Sequence, residues 1–329
     1  MKHAFLATAL LSASLVTGAQ AENLTLATGS SGGTYFPVGV ALSTLVSEQL
    51  ADKSVRMSPI TTGGSAENVE LLGSNEAQVA IMFGIYGRDG YRGVGLRQGR
   101  PPIPELRSIT ALWPDYDQFV LRKDLVKTGT LSDLDGLGAA FSVGPRNSGT
   151  EGTTRLLLDA VGIDPETAFK PTNMNYNAAA EAFQNGRIAG LSAAGGIPTP
   201  AVSQIYSTSA DETAILQVSD EQAARIAEAT DGLFTPVEIP AGTYPNQSEP
   251  IQTVMQPNFL AVRADVPEET VYEMTKAMFE HLDVLRAASS AAKVISLETA
   301  LKGLPVPLHP GAARYFREQG IAIPENLVN

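Results

Sequence analysis

The sequence has no cysteine, only one tryptophan and only three histidines among its 329 residues. Without cysteine the chain can form neither a disulfide nor a thiolate metal site, and it cannot carry a lipid anchor on a cysteine. His281 and His309 are far apart in the sequence, and no H-E-x-x-H pattern occurs. We therefore predict no metal site.

Positive charge is also scarce, since 23 lysines and arginines face 35 aspartates and glutamates and the formal net charge is −12. Such an acidic chain is poorly suited to nucleic acids or to anionic membrane surfaces, so we predict no nucleic-acid partner. The charge does not exclude a small anionic ligand, because exposed charges are screened beyond about 8 Å at physiological ionic strength.

A long hydrophobic run occurs only at the N-terminus. Lys2 precedes an apolar stretch over 4–16, and Ala19-Gln20-Ala21 is an A-x-A cleavage pattern. The stretch is shorter than the roughly 20 residues of a membrane span. The pattern predicts a signal peptide over 1–21, cleaved after Ala21, and a periplasmic protein; an uncleaved anchor is the alternative.

The rest of the chain alternates strand and helix patterns, which favours α/β lobes with parallel sheets. Three strand-like segments and two helical ones alternate over 23–83, and a strand, a loop and a helix recur from 139. We read 84–107 as an exposed loop, 108–113 and 118–124 as two strands, and 267–288 as one long helix. We predict lobe I at 22–117 plus 250–329 and lobe II at 118–249.

The loop "GSSGGTYFP" (29–37) links the first strand to the first helix and has three interpretations. It matches the G-x-S-x-G nucleophile elbow, with Ser31 as the nucleophile and His309 as the base. An elbow on the first strand, however, has no earlier strand to supply an oxyanion hole. A phosphate loop lacks support, because no Gly-Lys dipeptide occurs and the loop does not fit G-x-G-x-x-G.

The third interpretation is an anion clamp. The loops "TGGSAEN" (62–68) and "GPRNSGTEG" (144–152) also stand at strand-to-helix junctions, with Gly64 or Ser65 as the cap of the second helix. The first N–H groups of a helix lack intrahelical partners, and glycine lets a carboxylate approach them. Ordinary tight turns with capping hydroxyls are the alternative for each loop.

Several segments, in this order, resemble the TAXI family, the solute receptors of tripartite ATP-independent periplasmic (TRAP) transporters. They are the first loop with Tyr35 and Pro37, "TGGSAENVELL", "LSDLDG", "VGPRNSGTE", "IPAGTYP", "VYEMTKAMFE" and "LHPGAARYFREQG". The resemblance implies a type II periplasmic binding protein fold with two lobes, no cofactor and no catalytic activity. It also implies a monomer that passes a small carboxylate, such as a C4–C6 dicarboxylate or an oxo acid, to a TRAP permease, usually a fused one.

Matching this pattern residue by residue places nine residues in the ligand site: Ser30, Gly33, Thr34, Tyr35, Ser65, Asn68, Ser148, Gly149 and Thr150. Where the family has a polar Gln-Ser-Asp run, this chain has Phe83-Gly84-Ile85. We expect Phe83 and Tyr86 to form an apolar wall that disfavours amino acids, because a buried ammonium group needs a counter-charge. Arg146 is the candidate clamp for a second carboxylate, with exposure to solvent or pairing with Glu151 as the alternative.

Two other function classes stay open at this point. One is a secreted serine hydrolase that uses Ser31 and His309, and the other is a binding subunit of a sensor system.

Overall fold

The computed structural model describes residues 22–328, so the predicted signal peptide lies outside the described residues. One mixed sheet of ten strands runs through this part of the chain, in the order β2-β1-β3-β10-β4-β7-β5-β6, with β8 paired to β4 and β9 to β10. The strands are β1 Glu22–Ala27, β2 Val55–Ile60, β3 Val79–Phe83, β4 Leu106–Arg122, β5 Ala140–Ser142, β6 Lys170–Thr172, β7 Gly190–Gly195, β8 Thr213–Leu216, β9 Thr235–Ile239 and β10 Ile251–Arg263.

The α-helices cover most of the segments between these strands. They are α1 Tyr35–Gln49, α2 Ser65–Gly73, α3 Gly84–Arg92, α4 Gly149–Ala160, α5 Pro165–Ala168, α6 Tyr176–Gln184, α7 Pro200–Ser209, α8 Asp220–Ala229, α9 Glu268–Glu280, α10 Leu282–Ala288 and α11 Pro310–Glu318. Within residues 22–328, none of them has the length and apolar character needed to cross a membrane.

The sheet has a parallel half on each side of a central antiparallel pair. β1 pairs in parallel with β2 and β3, and β5 pairs in parallel with β6 and β7. The long strands β4 and β10 pair with each other and with strands of both halves. The chain therefore crosses between the halves along these two strands. The lobe boundaries predicted at 117/118 and 249/250 fall in or beside them and stay predictions.

The expectation of two strands separated by "PDYD" was wrong, because β4 is continuous from Leu106 to Arg122. Pro114 lies opposite Pro257 of β10, and the pairing register shifts beside this point. Proline has no N–H to donate, and the strand pairing is already irregular at this point. The two facing prolines therefore remove few hydrogen bonds between β4 and β10.

The interpretation of 84–107 as an exposed loop was wrong for its first part and is confirmed for 98–105, which has no helix or strand and is mostly exposed. The segment begins with α3, and a short 3₁₀ turn follows at Gly95–Arg97. Glycine is needed here for close packing: a Cβ at Gly87 would lie 2.5 Å from the Phe259 ring, and one at Gly90 would lie 2.5 Å from Val69. The predicted long helix over 267–288 is likewise interrupted, with His281 between α9 and α10.

Candidate functional site

Three helices begin around one cavity between the two halves of the sheet. Their N-caps are Thr34 for α1, Gly64 for α2 and Ser148 for α4. The cavity holds about 370 Å³ of space between atoms, of which about 30 Å³ is open to the centre of a water-sized molecule. Its walls are Gly29, Ser30, Gly33, Thr34, Tyr35, Gly63, Gly64, Ser65, Phe83, Pro145, Gly149, Thr150, Tyr176 and Ala194.

The capping differs between the three helices. The Ser148 hydroxyl accepts a hydrogen bond from the Glu151 N–H at 3.0 Å, as an N-cap serine should. α2 has no side-chain cap; its N-cap is Gly64, with φ at +108°, a conformation that favours glycine. The Thr34 hydroxyl does not cap α1 and instead accepts from the Gly196 N–H at 3.3 Å. Two of the three helix starts therefore lack a side-chain cap.

Many of the backbone donors around the cavity have no protein acceptor. Eight wall residues have a backbone N–H that donates to nothing within residues 22–328, and five of them stand at the starts of α1, α2 and α4: Thr34, Tyr35, Ser65, Gly149 and Thr150; the other three are Gly29, Ser30 and Tyr176. Unpaired N–H groups at a helix start, together with the helix dipole, favour a bound anion. No lysine, arginine, histidine, aspartate or glutamate belongs to the walls. Amide groups rather than charged side chains therefore determine the electrostatics of this cavity.

Two tyrosines form the inner walls. The Tyr35 hydroxyl donates to the Asn258 side-chain oxygen and lies 3.5 Å from the Ser65 hydroxyl. The Tyr176 hydroxyl donates to the Ala194 carbonyl at 2.8 Å and also forms a short hydrogen bond with the Thr150 hydroxyl. Burial raises the pKa of Tyr35 well above its ordinary value, so this phenol stays neutral and can act as a donor.

Two buried acids lie behind these tyrosines, on the central strand β4. Asp115 accepts a hydrogen bond from the Asn258 amide at 2.9 Å, and neither Asp115 nor Asp117 is exposed. Burial raises the pKa of Asp115 to about 8, and burial together with the nearby Asp115 raises the pKa of Asp117 well above its usual range. Both side chains are therefore largely protonated near neutral pH and offer little negative charge to the cavity.

The two sides of the cavity touch through glycines. A Cβ at Gly149 would lie 2.8 Å from the Ser65 side chain and 2.9 Å from the Phe83 ring. A Cβ at Gly152 would lie 2.0 Å from the Tyr86 hydroxyl. Since α4 follows β5 and the partner residues follow β2 and β3, these contacts join the two halves of the sheet. The structure is accordingly a closed one.

Eight of the twelve residues predicted for the ligand site line the cavity: Ser30, Gly33, Thr34, Tyr35, Ser65, Phe83, Gly149 and Thr150. Asn68 is fully buried and works elsewhere, since its amide donates to the carbonyls of Thr28 and Ile81 and its oxygen accepts from Thr62. It joins β1, β3 and the start of α2. That geometry makes Asn68 a structural link instead of a wall residue.

The other three predicted site residues, Tyr86, Arg146 and Ser148, line a separate outer groove on the far side of the α4 start. The placement of Arg146 there removes the geometric basis for its predicted role as a clamp inside this cavity. Sequence analysis missed Tyr176, Pro145 and Ala194 as wall residues. Tyr176 begins α6, which Asn175 caps, so a fourth strand-to-helix junction was the signal available for it.

The proposed hydrolase pair is not assembled. The Ser31 hydroxyl is exposed and accepts from the Asn177 amide at 3.1 Å. His309 is 1 % exposed, and its Nδ1 accepts from the Gly311 N–H at 3.2 Å, which caps α11. Each side chain therefore has a hydrogen-bond partner other than the one the hydrolase would require. In the described part of the chain, no group of three or more histidine, aspartate and glutamate side chains is placed to hold a metal ion.

The NMT1-like family model matches residues 26–320, and the chain belongs to this family. Similar solved structures include the binding-protein component of an ABC phosphonate transporter from Pseudomonas aeruginosa, at 10 % identity and a TM-score of 0.54, covering 83 % of this chain and 79 % of that one. A Xanthomonas citri protein bound to ATP shares 12 % identity, with a TM-score of 0.51 and coverage of 90 % and 95 %. A Bordetella bronchiseptica protein shares 15 % identity, with a TM-score of 0.53 and coverage of 94 % and 91 %. At such identities the likeness shows the fold, which is that of type II periplasmic binding proteins.

Proposed function

We propose that this member of the NMT1-like family is a periplasmic solute-binding protein that closes on a small organic acid and delivers it to a membrane transporter. One observation carries the proposal: three helix starts from both halves of the sheet meet at a cavity that no charged side chain lines. Unpaired amide N–H groups are suited to a carboxylate, and ligands of open α/β sheets gather at the carboxyl ends of the strands.

The same walls favour an acid without an amino group. A buried ammonium group needs an anionic partner, and the walls contain no carboxylate. Asp115 and Asp117 lie behind the tyrosines and are largely protonated near neutral pH. Phe83 stands in the wall where a polar run is typical of the TAXI family.

Among such acids, a C4–C6 dicarboxylate or an oxo acid is the solute we propose, in preference to glutamate, on the sequence resemblance and the apolar wall at Phe83.

A TRAP permease is the transporter we propose, on the TAXI resemblance alone. One structural relative serves an ABC phosphonate transporter, and the shared fold supports either type of partner. Uptake by membrane vesicles carrying the permease would distinguish them: a TRAP system requires an ion gradient and continues without ATP. Export is part of the proposal, and N-terminal sequencing of the periplasmic protein should begin at Glu22.

The direct test is a thermal-shift screen of the exported protein, unfolded and refolded to remove carried-over ligand. The panel contains C3–C6 acids, their amino analogues, methylphosphonate and sugars. A ligand at 100 times its Kd stabilises the folded state by about 2.7 kcal/mol. For a chain of this size that corresponds to a rise in melting temperature of about 4 °C. We expect a rise with an oxo or hydroxy acid and little with its amino analogue.

Three results would count against the proposal. A larger shift with glutamate than with oxoglutarate would overturn the preference for acids without an amino group. A shift with sugars alone would remove the anion site. Labelling of Ser31 by a fluorophosphonate would revive the hydrolase.

A further inference from the structure

A second and larger cavity lies on the central strands, at a different place from the cavity between the helix starts. Its floor is formed by residues 111–114 of β4 and by Met255, Pro257 and Asn258 of β10, and its volume is about 460 Å³. One wall is the connection from α8 into β9, which includes Leu233. The other runs from Val294 to Gly303. We call it the strand groove.

The strand groove and the helix-start cavity are separated by one layer of side chains. Trp113 and Asn258 line the groove. The Trp113 ring centre is 6.3 Å from that of Tyr35, which lines the other cavity. The Asn258 side-chain oxygen accepts a hydrogen bond from the Tyr35 hydroxyl. No residue of the helix-start cavity belongs to the groove walls. The groove is therefore a neighbour of the solute site without being part of it.

The walls of the groove are mainly apolar and include Leu112, Trp113, Leu233, Met255 and Val294. Its volume falls within the range of about 300–1,000 Å³ that is typical of small-molecule sites. Val294 is 50 % exposed, so the protein leaves apolar surface open to water here. A half-open depression of this volume suits a small molecule better than the flat face of a partner helix.

A single charged side chain, Lys302, lines the groove. It is exposed and takes part in none of the ion pairs formed within residues 22–328. The Asn258 side chain is already occupied, because its oxygen accepts from Tyr35 and its amide donates to Asp115. Lys302 is thus the group left to select a ligand by charge, and it selects an anion.

We propose that the strand groove binds an amphiphilic organic anion. Its aromatic or medium-chain apolar body lies against Leu233 and the exposed Val294, and its carboxylate or sulfonate pairs with Lys302. The site does not depend on which acid occupies the helix-start cavity, so its test is independent of the test of the proposed function.

The experiment uses the exported protein and the probe 1-anilinonaphthalene-8-sulfonate, an apolar anion. Trp113 is the only tryptophan in the chain, so energy transfer to the probe reports binding near the central strands, and the variants below separate the strand groove from the helix-start cavity. We expect one saturable site per chain with quenching of Trp113. Decanoate should displace the probe more effectively than the uncharged decanol.

Two variants and two matched controls locate the site. Lys302→Gln should weaken probe binding by up to about fivefold, the range of an exposed ion pair. Val294→Asp, at an exposed position, should abolish saturable binding by placing a carboxylate in the wall. Lys293→Gln and Val94→Asp are the controls, since Lys293 and the 44 % exposed Val94 lie outside the groove walls.

The outcomes are decisive in both directions. The proposal is overturned by an absence of saturable binding, by equal losses in variants and controls, or by stoichiometric displacement of the probe by the acid that fills the helix-start cavity. Melting temperatures of all four variants close to that of the natural chain exclude unfolding as the cause.

Discussion

Replacing Gly152 by alanine should change affinity and stability in opposite directions. Gly152 lies within α4, and a Cβ there would come 2.0 Å from the Tyr86 hydroxyl across the closed interface. Overpacking of this kind costs about 1–3 kcal/mol. The cost falls only on the closed state, so solute affinity should drop between about fivefold and a hundredfold.

The same substitution should stabilise the protein without ligand. Alanine is about 1 kcal/mol more favourable than glycine inside a helix, and an open lobe pair has no clash to offset this gain. The melting temperature of the ligand-free protein should therefore rise while the Kd for the solute increases. Isothermal titration calorimetry with the best acid from the screen and differential scanning calorimetry measure the two quantities.

Tyr86→Phe supplies the internal control, because it removes the hydroxyl that the new methyl group would strike. Once the hydroxyl oxygen is removed, the nearest ring atom of residue 86 to a Cβ at position 152 is Cζ, at 3.3 Å, which is a tight but tolerable contact. The double variant should recover most of the lost affinity, whereas Tyr86→Phe alone should change it little. Unchanged affinity in Gly152→Ala, or no recovery in the double variant, would refute the closed interface described above.

Three further predictions follow from the site. Tyr35→Phe leaves the buried Asn258 oxygen without its donor and should lower the free energy of unfolding by about 1–3 kcal/mol, measured by urea denaturation. Burial raises the pKa of Asp115 to about 8. Between an ordinary aspartate pKa and pH 8, the folded state therefore binds more protons than the unfolded state. The free energy of unfolding should accordingly fall as the pH rises through that window. Asp115→Asn should flatten this slope in a series of melting curves from pH 5 to about 8; an unchanged slope would contradict it. Arg146→Gln should leave the solute Kd within about twofold, because Arg146 lines the outer groove, and a larger loss would restore its role as a carboxylate clamp.

Short-range patterns allowed much of the fold and the site to be predicted from the sequence. The alternation of strands and helices is a local property of hydrophobic spacing, and it indicated the α/β class with parallel pairing at both ends of the sheet. Glycines and hydroxyl residues between a strand and a helix mark a helix start, and the loops at 29–37, 62–68 and 144–152 all contribute walls to one cavity.

Errors arose where glycine or a polar residue serves a distant contact. The glycines of α3 were read as loop residues, yet Gly87 and Gly90 are small because Phe259 and Val69 pack against them. Asn68 was assigned to the ligand, yet its amide ties together the backbones of β1 and β3. In both cases the residue type suits two roles, and only its neighbours in space select one.

The sequence by itself determined the alternation of strands and helices, the helix starts after the loops at 29–37, 62–68 and 144–152, and the acidic, cysteine-free composition, because these properties depend on residue type and near neighbours. Only the tertiary structure decided which helix starts meet, that Tyr176 closes the cavity, and that Asp115 and Asp117 are buried without a cation. It also brought Lys302 to an apolar groove on β4 and β10. Those facts depend on the pairing of strands far apart in the chain, and a single sequence carries no local signal for that pairing.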